Sequence, residues 1–403
     1  MRPCLYVAIP AMDELDYLPA TLDAIARQET DYSYSVFICV NQPDEWWRMA
    51  EKQAICENNR RLIRYLDNFD LFPVTVLDYS SPGKGWKGKN HGVGWARKIV
   101  LERIFSEASP EDIMISLDAD TLFDPSYFQS LAENFERYSY PVVTVPYYHR
   151  LTGDEIKDRA VLRYELYMRN WFLNMYRIQS PYAFTAIGSG IAAKIGALEK
   201  IGGITPVKSG EDFYLIQKLR KMVPVNLWNE IPVYPAARFS DRVCFGTGPA
   251  MKSGAEGNWT RYPLYHYSLF DKISEAYRLI PEIHKADKET DFISFLQDQF
   301  KTDDLWTPLR RNFKDPFRFE RAFHEKADGL RILQFLKHRH NVLPVSDEKS
   351  LSDNMSLFFP DKRPSFLNPE FSISSLTITQ LQEIRNMLYD FEQILRRESL
   401  NRH

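Results

Sequence analysis

The sequence lacks the features that mark several classes of protein. Its 403 residues include only four cysteines, and because none of them forms a CxxC pair, no disulfide framework or zinc site is predicted. No run of about 18 apolar residues is present, so a membrane-spanning helix is not expected. The first residues lead directly into a strand pattern without a signal peptide. The sequence therefore predicts a cytoplasmic protein.

An excess of charge of one sign is also missing. The chain carries 51 Lys and Arg residues against 54 Asp and Glu residues, a formal net charge of −3. Proteins that bind nucleic acids concentrate basic residues on one element, whereas here the two signs are interspersed. No nucleic-acid partner is predicted.

Residues 4–245 do contain a regular alternation of short apolar runs and amphipathic segments. This alternation is typical of an α/β fold with an open, mostly parallel, Rossmann-like sheet flanked by helices. Such sheets bind ligands outside the carboxyl ends of their strands. The predicted strands are 5–9, 35–40, 74–78, 113–117, 142–146, 187–192 and 225–234. The predicted helices are 18–28, 45–68, 91–106, 125–138, 154–179 and 211–222.

The character of the chain changes after residue 245, where it becomes helical and charged. We predict a domain over 1–245, a helical extension over 246–345, and a linker with a docking helix over 346–403. The extension has two candidate roles, capping an acceptor site or forming a dimer contact. The helix 154–179 is interpreted as a buried aromatic stripe with its arginines in solvent, and a groove for an acceptor is the alternative.

Two aspartates follow the strand 113–117. Asp118 and Asp120 are two residues apart, so their side chains point the same way from an extended segment. Paired carboxylates at this edge suit a hard divalent cation, Mg²⁺ or Mn²⁺, that keeps positions open for substrate phosphates. The simpler alternative is a solvated turn that caps the next helix.

A second acidic pair, Glu211-Asp212, begins the helix 211–222. Acids are common at helix starts for capping alone. The segment Gly188-Ser189-Gly190 permits close approach of backbone to a ligand. A carboxylate brought near the metal site would act as general base on an acceptor hydroxyl.

Four segments in this order resemble family 2 glycosyltransferases, which have the GT-A fold. They are the run from Val7 to Glu14 (VAIPAMDE, similar to IPAYNE), the DxD at Asp118–Asp120, the pair Gly188-Ser189-Gly190 and Gly202-Gly203, and the ED pair at Glu211-Asp212. The likeness covers the first ~240 residues.

The resemblance implies a metal-dependent enzyme that transfers a sugar from a UDP- or GDP-linked donor to an acceptor hydroxyl with inversion. The acceptor is left open among a glycan, a lipid-linked molecule and a small molecule. Asp212 is implied as the catalytic base with Glu211 beside it, and Mn²⁺ or Mg²⁺ as the cofactor. The implied metal ligands are Asp118, Asp120 and a late histidine, for which His266 is the candidate. The implied donor-binding residues are Pro10, Ala11, Glu14, Asn41, Lys89, Arg97, Asp118, Gly188 and Ser189.

The sequence departs from the family pattern at several positions. The second strand ends in Asn41 rather than in paired acids, and its amide offers a donor and an acceptor to a base edge. Lys98 replaces the asparagine of the family's ARN segment, which begins here at Ala96-Arg97. A QxxRW motif is absent, which favours single transfer over processive synthesis.

Other interpretations of the sequence are open. The segment Gly83–Lys89 fits GxxxxGK of a P-loop nucleotide hydrolase, but Asn90 stands where Ser or Thr would bind Mg²⁺. A sugar-nucleotide pyrophosphorylase would share the sheet, but the glycine-rich amino-terminal loop that is usual in that class is absent here. A non-catalytic protein that binds nucleotide sugars is a further alternative, because a fold does not determine a function.

Overall fold

The computed structural model describes residues 2–185, 187–241 and 246–400, and these form two compact units. The first unit comprises Met1–Val161, Ala186–Gly257 and Gln393–His403, and the second comprises Leu162–Thr185 and Asn258–Glu392. The domain boundaries at 245 and 345 stay predictions, and residue 245 lies outside the described residues. Two limits of these units, after Val161 and after Glu392, fall inside helices, where hydrophobic periodicity continues without a break and gives no signal.

The first unit contains a six-stranded sheet in the order β3-β2-β1-β4-β7-β6 among its described residues. Strands β3, β2, β1 and β4 are parallel, whereas β7 runs antiparallel to β4 and β6. A separate antiparallel pair joins β5 and β8. The mostly parallel α/β sheet predicted from the sequence is confirmed. The strands are β1 Leu5–Ala11, β2 Tyr34–Asn41, β3 Val74–Tyr79, β4 Ile113–Ser116, β5 Thr121–Phe123, β6 Val142–Thr144, β7 Ile191–Lys194 and β8 Val233–Pro235.

The sheet forms because its central strands are apolar on both faces. All seven residues of β1 and all four of β4 are buried, as expected for parallel strands covered by helices on both sides. The helices that begin in this part of the chain are α1 Leu18–Ala26, α2 Gln53–Asp67, α3 Val93–Phe105, α4 Tyr127–Tyr138, α5 Glu155–Arg177, α6 Ile195–Lys200, α7 Glu211–Met222 and α8 Thr247–Ala255.

Two predicted elements of the first unit are corrected. The helix expected over 45–68 begins only at Gln53, because Met49 is extended and separates two 3₁₀ turns, Asp44–Arg48 and Ala50–Lys52. The strand expected over 225–234 is reduced to β8, since the preceding residues are held by side-chain amides. Asn134 donates to the carbonyl of Trp228 at 2.7 Å, which replaces a strand ladder with an irregular turn.

The described part of the second unit is helical. Four of its helices begin at residues whose side chains accept a hydrogen bond from the backbone N–H three residues on, namely Thr290, Asp315, Asp328 and Ser346. Such caps satisfy the free donors of a helix start. The helices that begin in this unit beyond residue 257, including these four, are α9 Tyr267–Arg278, α10 Ile280–Ile283, α11 Asp291–Phe300, α12 Thr307–Asn312, α13 Pro316–Lys326, α14 Gly329–Val342, α15 Asp347–Phe358 and α16 Ile378–Ser399.

Four fully buried charged residues of the second unit form what we call the helical cluster. Arg169 contacts Glu165 at 2.7 Å and Glu392 at 2.8 Å, and Arg385 contacts Glu165 at 3.4 Å. The predicted burial of the aromatic stripe of α5 is confirmed, because Trp171, Phe172 and its tyrosines are buried. The predicted exposure of its arginines is wrong for Arg163 and Arg169, which are buried in ion pairs.

Among the described residues, no helix combines the length and the apolar character that crossing a membrane requires.

Candidate active site

The candidate site lies at one edge of the sheet. Strands β1, β2, β3 and β4 run parallel, so the loops that follow them leave from the same edge. The loop after β1 carries Glu14 and the loop after β4 carries Asp118 and Asp120. The acidic residues predicted from the sequence are therefore delivered to one side of the first unit.

A buried arginine connects the two acidic motifs. The guanidinium of Arg97, on α3, donates to Glu211 at 2.9 Å and also contacts Asp118 and the hydroxyl of Ser116. The Arg97 side chain is 4% exposed and that of Glu211 is 6% exposed, whereas the Asp118 carboxylate is 36% exposed. Asp118 therefore faces the solvent side of this contact.

Gly188 and Ser189 fix the position of Asp118. The Ser189 hydroxyl donates to Asp118 Oδ2 at 2.8 Å and accepts the Asp118 backbone N–H at 3.2 Å. A Cβ on Gly188 would overlap Arg97 Nη2 and lie 3.1 Å from both Asp118 carboxylate oxygens. The missing side chain at Gly188 is thus required for the Arg97–Asp118 contact.

A second glycine brings α3 and α7 together. A Cβ on Gly94 would overlap the carbonyl oxygen of Val207 and lie 2.7 Å from its nitrogen and 3.2 Å from Cβ of Glu211. Glycine costs about 1 kcal/mol relative to alanine inside a helix, and here it permits contact between two backbones. This contact sets the separation between Arg97 on α3 and Glu211 at the start of α7.

The two acids at the start of α7 are held in an environment that favours their neutral forms. Burial and the neighbouring Glu211 carboxylate raise the pKa of Asp212 to about 7, although Arg97 acts in the opposite direction. Burial likewise raises the pKa of Glu211, and Arg97 opposes this effect. A carboxyl with a pKa near neutrality is suited to accept and release a proton at physiological pH.

Asp120 is held by an arginine that the sequence analysis missed. Nε of Arg238 lies 2.7 Å from Asp120 Oδ2, and Nη2 of Arg238 lies 2.7 Å and 2.9 Å from the two oxygens of Glu14. Arg238 follows the short strand β8 in a stretch with no periodic pattern, so no local signal marks it. We call Glu14, Arg97, Asp118, Asp120, Glu211, Asp212 and Arg238 the sheet-edge cluster.

The residues of the sheet-edge cluster fit a divalent cation that arrives with a phosphate ligand. Asp118 and Asp120 supply the carboxylate oxygens that Mg²⁺ and Mn²⁺ prefer. In residues 2–185, 187–241 and 246–400, no group of three or more His, Cys, Asp and Glu side chains is arranged to hold a metal ion. The other positions of a coordination shell on these two aspartates would be open to water or to substrate oxygens.

The comparison with protein families identifies the family of this chain. A family model described as "Glycosyltransferase like family 2" matches residues 3–222, which is more than half of the chain. The chain belongs to this family. The predicted resemblance, GT-A fold and enzymatic class are confirmed, and the match covers both acidic motifs of the sheet-edge cluster.

Three solved glycosyltransferase structures resemble this family 2 chain. S. aureus TarS 1–349 in complex with UDP-GlcNAc is 13% identical with a TM-score of 0.43, covering 98% of this chain and 91% of that one. The mannosyltransferase PcManGT from Pyrobaculum calidifontis, in complex with GDP-Man and Mn²⁺, is 15% identical with a TM-score of 0.39, and the match covers 98% of this chain and 88% of that one. Glucosyl-3-phosphoglycerate synthase from Mycobacterium tuberculosis is 11% identical with a TM-score of 0.32, and the match covers 56% of this chain and 68% of that one. No curated protein matches the chain by sequence.

The position predicted to read the nucleobase in this glycosyltransferase has another partner. The buried Asn41 amide donates to the carbonyl of Ala11 at 3.0 Å and accepts from Trp86 Nε1 at 3.3 Å. Both ends of the amide are engaged, which argues against the predicted contact to a base edge. Asn41 instead orients Trp86, whose ring stacks on Tyr79 at 4.4 Å. Pro10 and Ala11 lie at the carboxyl end of β1, opposite Cys39 and Val40 of β2.

The segment Gly83–Lys89 does not support the P-loop alternative. Its backbone is hydrogen-bonded to the end of β2, since Trp86 N–H donates to Gln42 and Trp86 C=O accepts from Asp44 N–H, both at 2.9 Å. A Cβ on Gly85 would lie 2.7 Å from Asp44. The loop is therefore packed against protein and not open around a phosphate, and the exposed Lys89 belongs to its outer part.

The predicted metal ligand His266 lies in the second unit, where its side chain makes structural hydrogen bonds. Its Nδ1 interacts with the hydroxyl of Ser268 at 2.7 Å and its Nε2 with Asp353 at 3.0 Å. The same side chain caps α9 by accepting the Ser268 N–H. Both ring nitrogens are engaged, and the metal role of His266 stays a prediction that these contacts do not support.

Cys4, Cys39 and Cys56 are unpaired, and Cys244 lies outside the described residues.

Proposed function

We propose that this chain transfers a sugar from a UDP- or GDP-linked donor to an acceptor hydroxyl, with a divalent cation and with inversion. The observation that supports it most strongly is the meeting of the two acidic motifs on Arg97, which brings the Glu211-Asp212 pair to Asp118. Donor and acceptor chemistry require these groups in one place. The UDP-GlcNAc, GDP-Man and Mn²⁺ complexes of the similar structures are consistent with these ligands.

The donor diphosphate is assigned to the edge that carries Asp118 and Asp120. Asp118 is oriented by the Ser189 hydroxyl on one oxygen and by Arg97 on the other. Mn²⁺ or Mg²⁺, held by these aspartates, supplies the positive charge that stabilises a leaving diphosphate. Lys89 stays our candidate for an additional diphosphate contact, and Pro10, Ala11 and Glu14 stay our candidates for the nucleoside side. The guanidinium of Arg97 is 4% exposed and already bound by protein groups, so we assign it to positioning Asp118.

Asp212 is assigned as the general base. The acceptor oxygen forms the new bond to the anomeric carbon while the sugar–phosphate bond breaks, and the diphosphate leaves with the bonding electrons. Asp212 takes the acceptor proton. Attack from the face opposite the leaving group inverts the anomeric centre. A pKa of about 7 for Asp212 places the base near its working range.

The test is Asp212→Asn, which keeps the size of the side chain and removes its basicity. Turnover, followed by release of UDP or GDP from a panel of nucleotide sugars, should fall by about 10²–10⁴-fold. Donor affinity by calorimetry should stay within about twofold, because the base does not hold the nucleotide. Asp23→Asn on the exposed side of α1 is the matched control. Normal turnover in the Asp212 variant would refute the assignment, and absence of turnover in the parent with every donor would favour the non-catalytic alternative.

A further inference from the structure

Arg238 contacts Asp120, one of the two carboxylates that the proposed function assigns to the divalent cation. Its guanidinium spans two carboxylates from different loops, that of Glu14 after β1 and that of Asp120 after β4, at distances of 2.7–2.9 Å. The centre of the guanidinium also lies 4.0 Å from the ring centroid of Tyr17. Arg238 and Asp120 are each 13% exposed and Glu14 is 6% exposed. This is a built, largely desolvated contact, unlike a surface ion pair.

The chemistry of arginine makes this contact an obstacle to metal binding. A guanidinium does not lose its proton in the protein pH range, and its planar fork matches two carboxylate partners at once. The positive charge next to Asp120 can therefore be removed only by moving the side chain. A divalent cation on the same carboxylate meets the repulsion of that charge at close range.

We propose that Arg238 is the internal counter-ion of the donor site. It holds Asp120 until the donor binds, and it exchanges Asp120 for diphosphate oxygens when the cation arrives with the nucleotide. The idea rests on the proposed donor site. It explains how Glu14 and Asp120 can both be mostly buried and still be compensated by positive charge before the cation arrives.

The exchange predicts a linkage between metal and nucleotide. Mn²⁺ alone must displace Arg238 from Asp120 without giving the guanidinium a new partner. Mn²⁺ together with UDP or GDP supplies phosphate oxygens, which are strong acceptors for arginine. The cation should therefore bind more tightly with nucleotide than alone, and this linkage should depend on Arg238.

The experiment measures Mn²⁺ affinity of the full chain by the EPR signal of free Mn²⁺, with and without UDP or GDP. Arg238→Gln should bind Mn²⁺ alone about tenfold more tightly than the parent, because the competing charge is gone. The additional gain from nucleotide should shrink in that variant. Unchanged, weaker or undetectable Mn²⁺ binding by Arg238→Gln would overturn the proposal.

Arg150→Gln is the matched control. Arg150 also lies over an aromatic ring, that of Tyr234 at 3.9 Å, and beside a carboxylate, Asp124 at 3.7 Å, but it does not contact Asp120. The Mn²⁺ affinity of Arg150→Gln should equal that of the parent. An equal rise in Mn²⁺ affinity in Arg150→Gln and Arg238→Gln would overturn the proposal. Should Arg238→Gln not fold, Arg238→Lys replaces the fork by a single ammonium group. A rise of about threefold is expected there, and no rise would refute the idea.

The readout is independent of the reaction. A chain that transfers sugar normally without Asp212 contradicts the proposed base, while the Mn²⁺ affinities still decide the role of Arg238.

Discussion

The two units each contain a buried cluster of arginines and carboxylates, and the clusters differ in their balance. The helical cluster pairs Arg169 and Arg385 with Glu165 and Glu392, and all four side chains are fully buried. The sheet-edge cluster, as defined above, combines Arg97 and Arg238 with five acids, and the Asp118 side chain is 36% exposed.

The comparison separates a structural cluster from a binding cluster. Charges that are matched one to one and fully desolvated hold helices in a fixed arrangement. Close carboxylates, one of them exposed, repel one another, and a bound cation or proton lowers that repulsion. The raised pKa of Asp212 means that a proton can neutralise this carboxylate. The proposed metal–diphosphate would compensate Asp118 and Asp120.

The largest expected effect breaks the helical cluster. Glu165→Gln removes a carboxylate shared by Arg169 and Arg385, so two buried positive charges lose one of their negative neighbours. The free energy of unfolding in urea should fall by about 3–5 kcal/mol. Glu102→Gln, in the exposed pair with Lys98, is the control and should cost less than about 1 kcal/mol. Equal losses in both variants would mean that burial does not distinguish the helical cluster.

A methyl group at Gly188 tests the sheet-edge cluster. Gly188→Ala would force Arg97 and Asp118 apart, since the new Cβ meets both side chains. Turnover should fall by about 10²-fold through misplacement of Asp118. Gly153→Ala is the control: it lies in a left-handed turn with φ +82° and no atom within 4 Å of its Cβ. The control should lose about 1–2 kcal/mol of stability and retain turnover per folded molecule. Full activity in Gly188→Ala would show that the Arg97–Asp118 contact is dispensable.

The protonation of Asp212 gives a pH-dependent difference in stability. The pKa of Asp212 in the folded state is raised from 3.8 to about 7. The contribution of this carboxyl to folding stability is therefore complete below pH 3.8 and is lost as the pH rises through 7. At pH 8 the parent must keep a buried carboxylate charged, whereas Asp212→Asn carries no charge there. The variant should therefore be more stable than the parent at pH 8, by about 1–2 kcal/mol. At pH 4.5 the gain should be much smaller. Thermal unfolding at both pH values measures this, and a variant that is destabilised at pH 8 would contradict the raised pKa.

The smallest effect concerns His266. His266→Ala removes the cap of α9 and the contact with Asp353, and about 1 kcal/mol of stability should be lost. The Mn²⁺ affinity in the presence of UDP should not change if the side chain is only structural. A loss of about tenfold or more in Mn²⁺ affinity would restore the metal role that the resemblance implied.

The sequence predicts those parts of the site whose residues directly follow a strand pattern or begin a helix pattern. Asp118 and Asp120 follow an apolar strand, and Glu211-Asp212 begin a helix, so their positions follow from strand and helix periodicity. The parallel sheet then brings the strand ends to one edge. This reasoning covers the strands β1 to β4 and the acidic motifs.

The rest depends on contacts between distant segments that no periodicity records. Arg238 meets Glu14 across 224 positions of the chain, and nothing in its neighbourhood distinguishes it from a surface arginine. The amide of Asn41 is engaged by Trp86, 45 positions away, so its hydrogen-bonding capacity said nothing about its partner. Arg163 and Arg169 of α5 followed the helical period but are paired with acids from other helices, which reversed their predicted exposure.

The backbone contact at Gly94 has a consequence for how this site can vary. Because α3 touches Val207 main chain to main chain, the spacing of Arg97 and Glu211 does not depend on any side-chain rotamer. A larger residue at position 94 cannot be absorbed by a local rearrangement and displaces a whole helix. The absence of a side chain at Gly94 thus sets how closely the backbone of α3 approaches the segment that leads into the acid pair of α7.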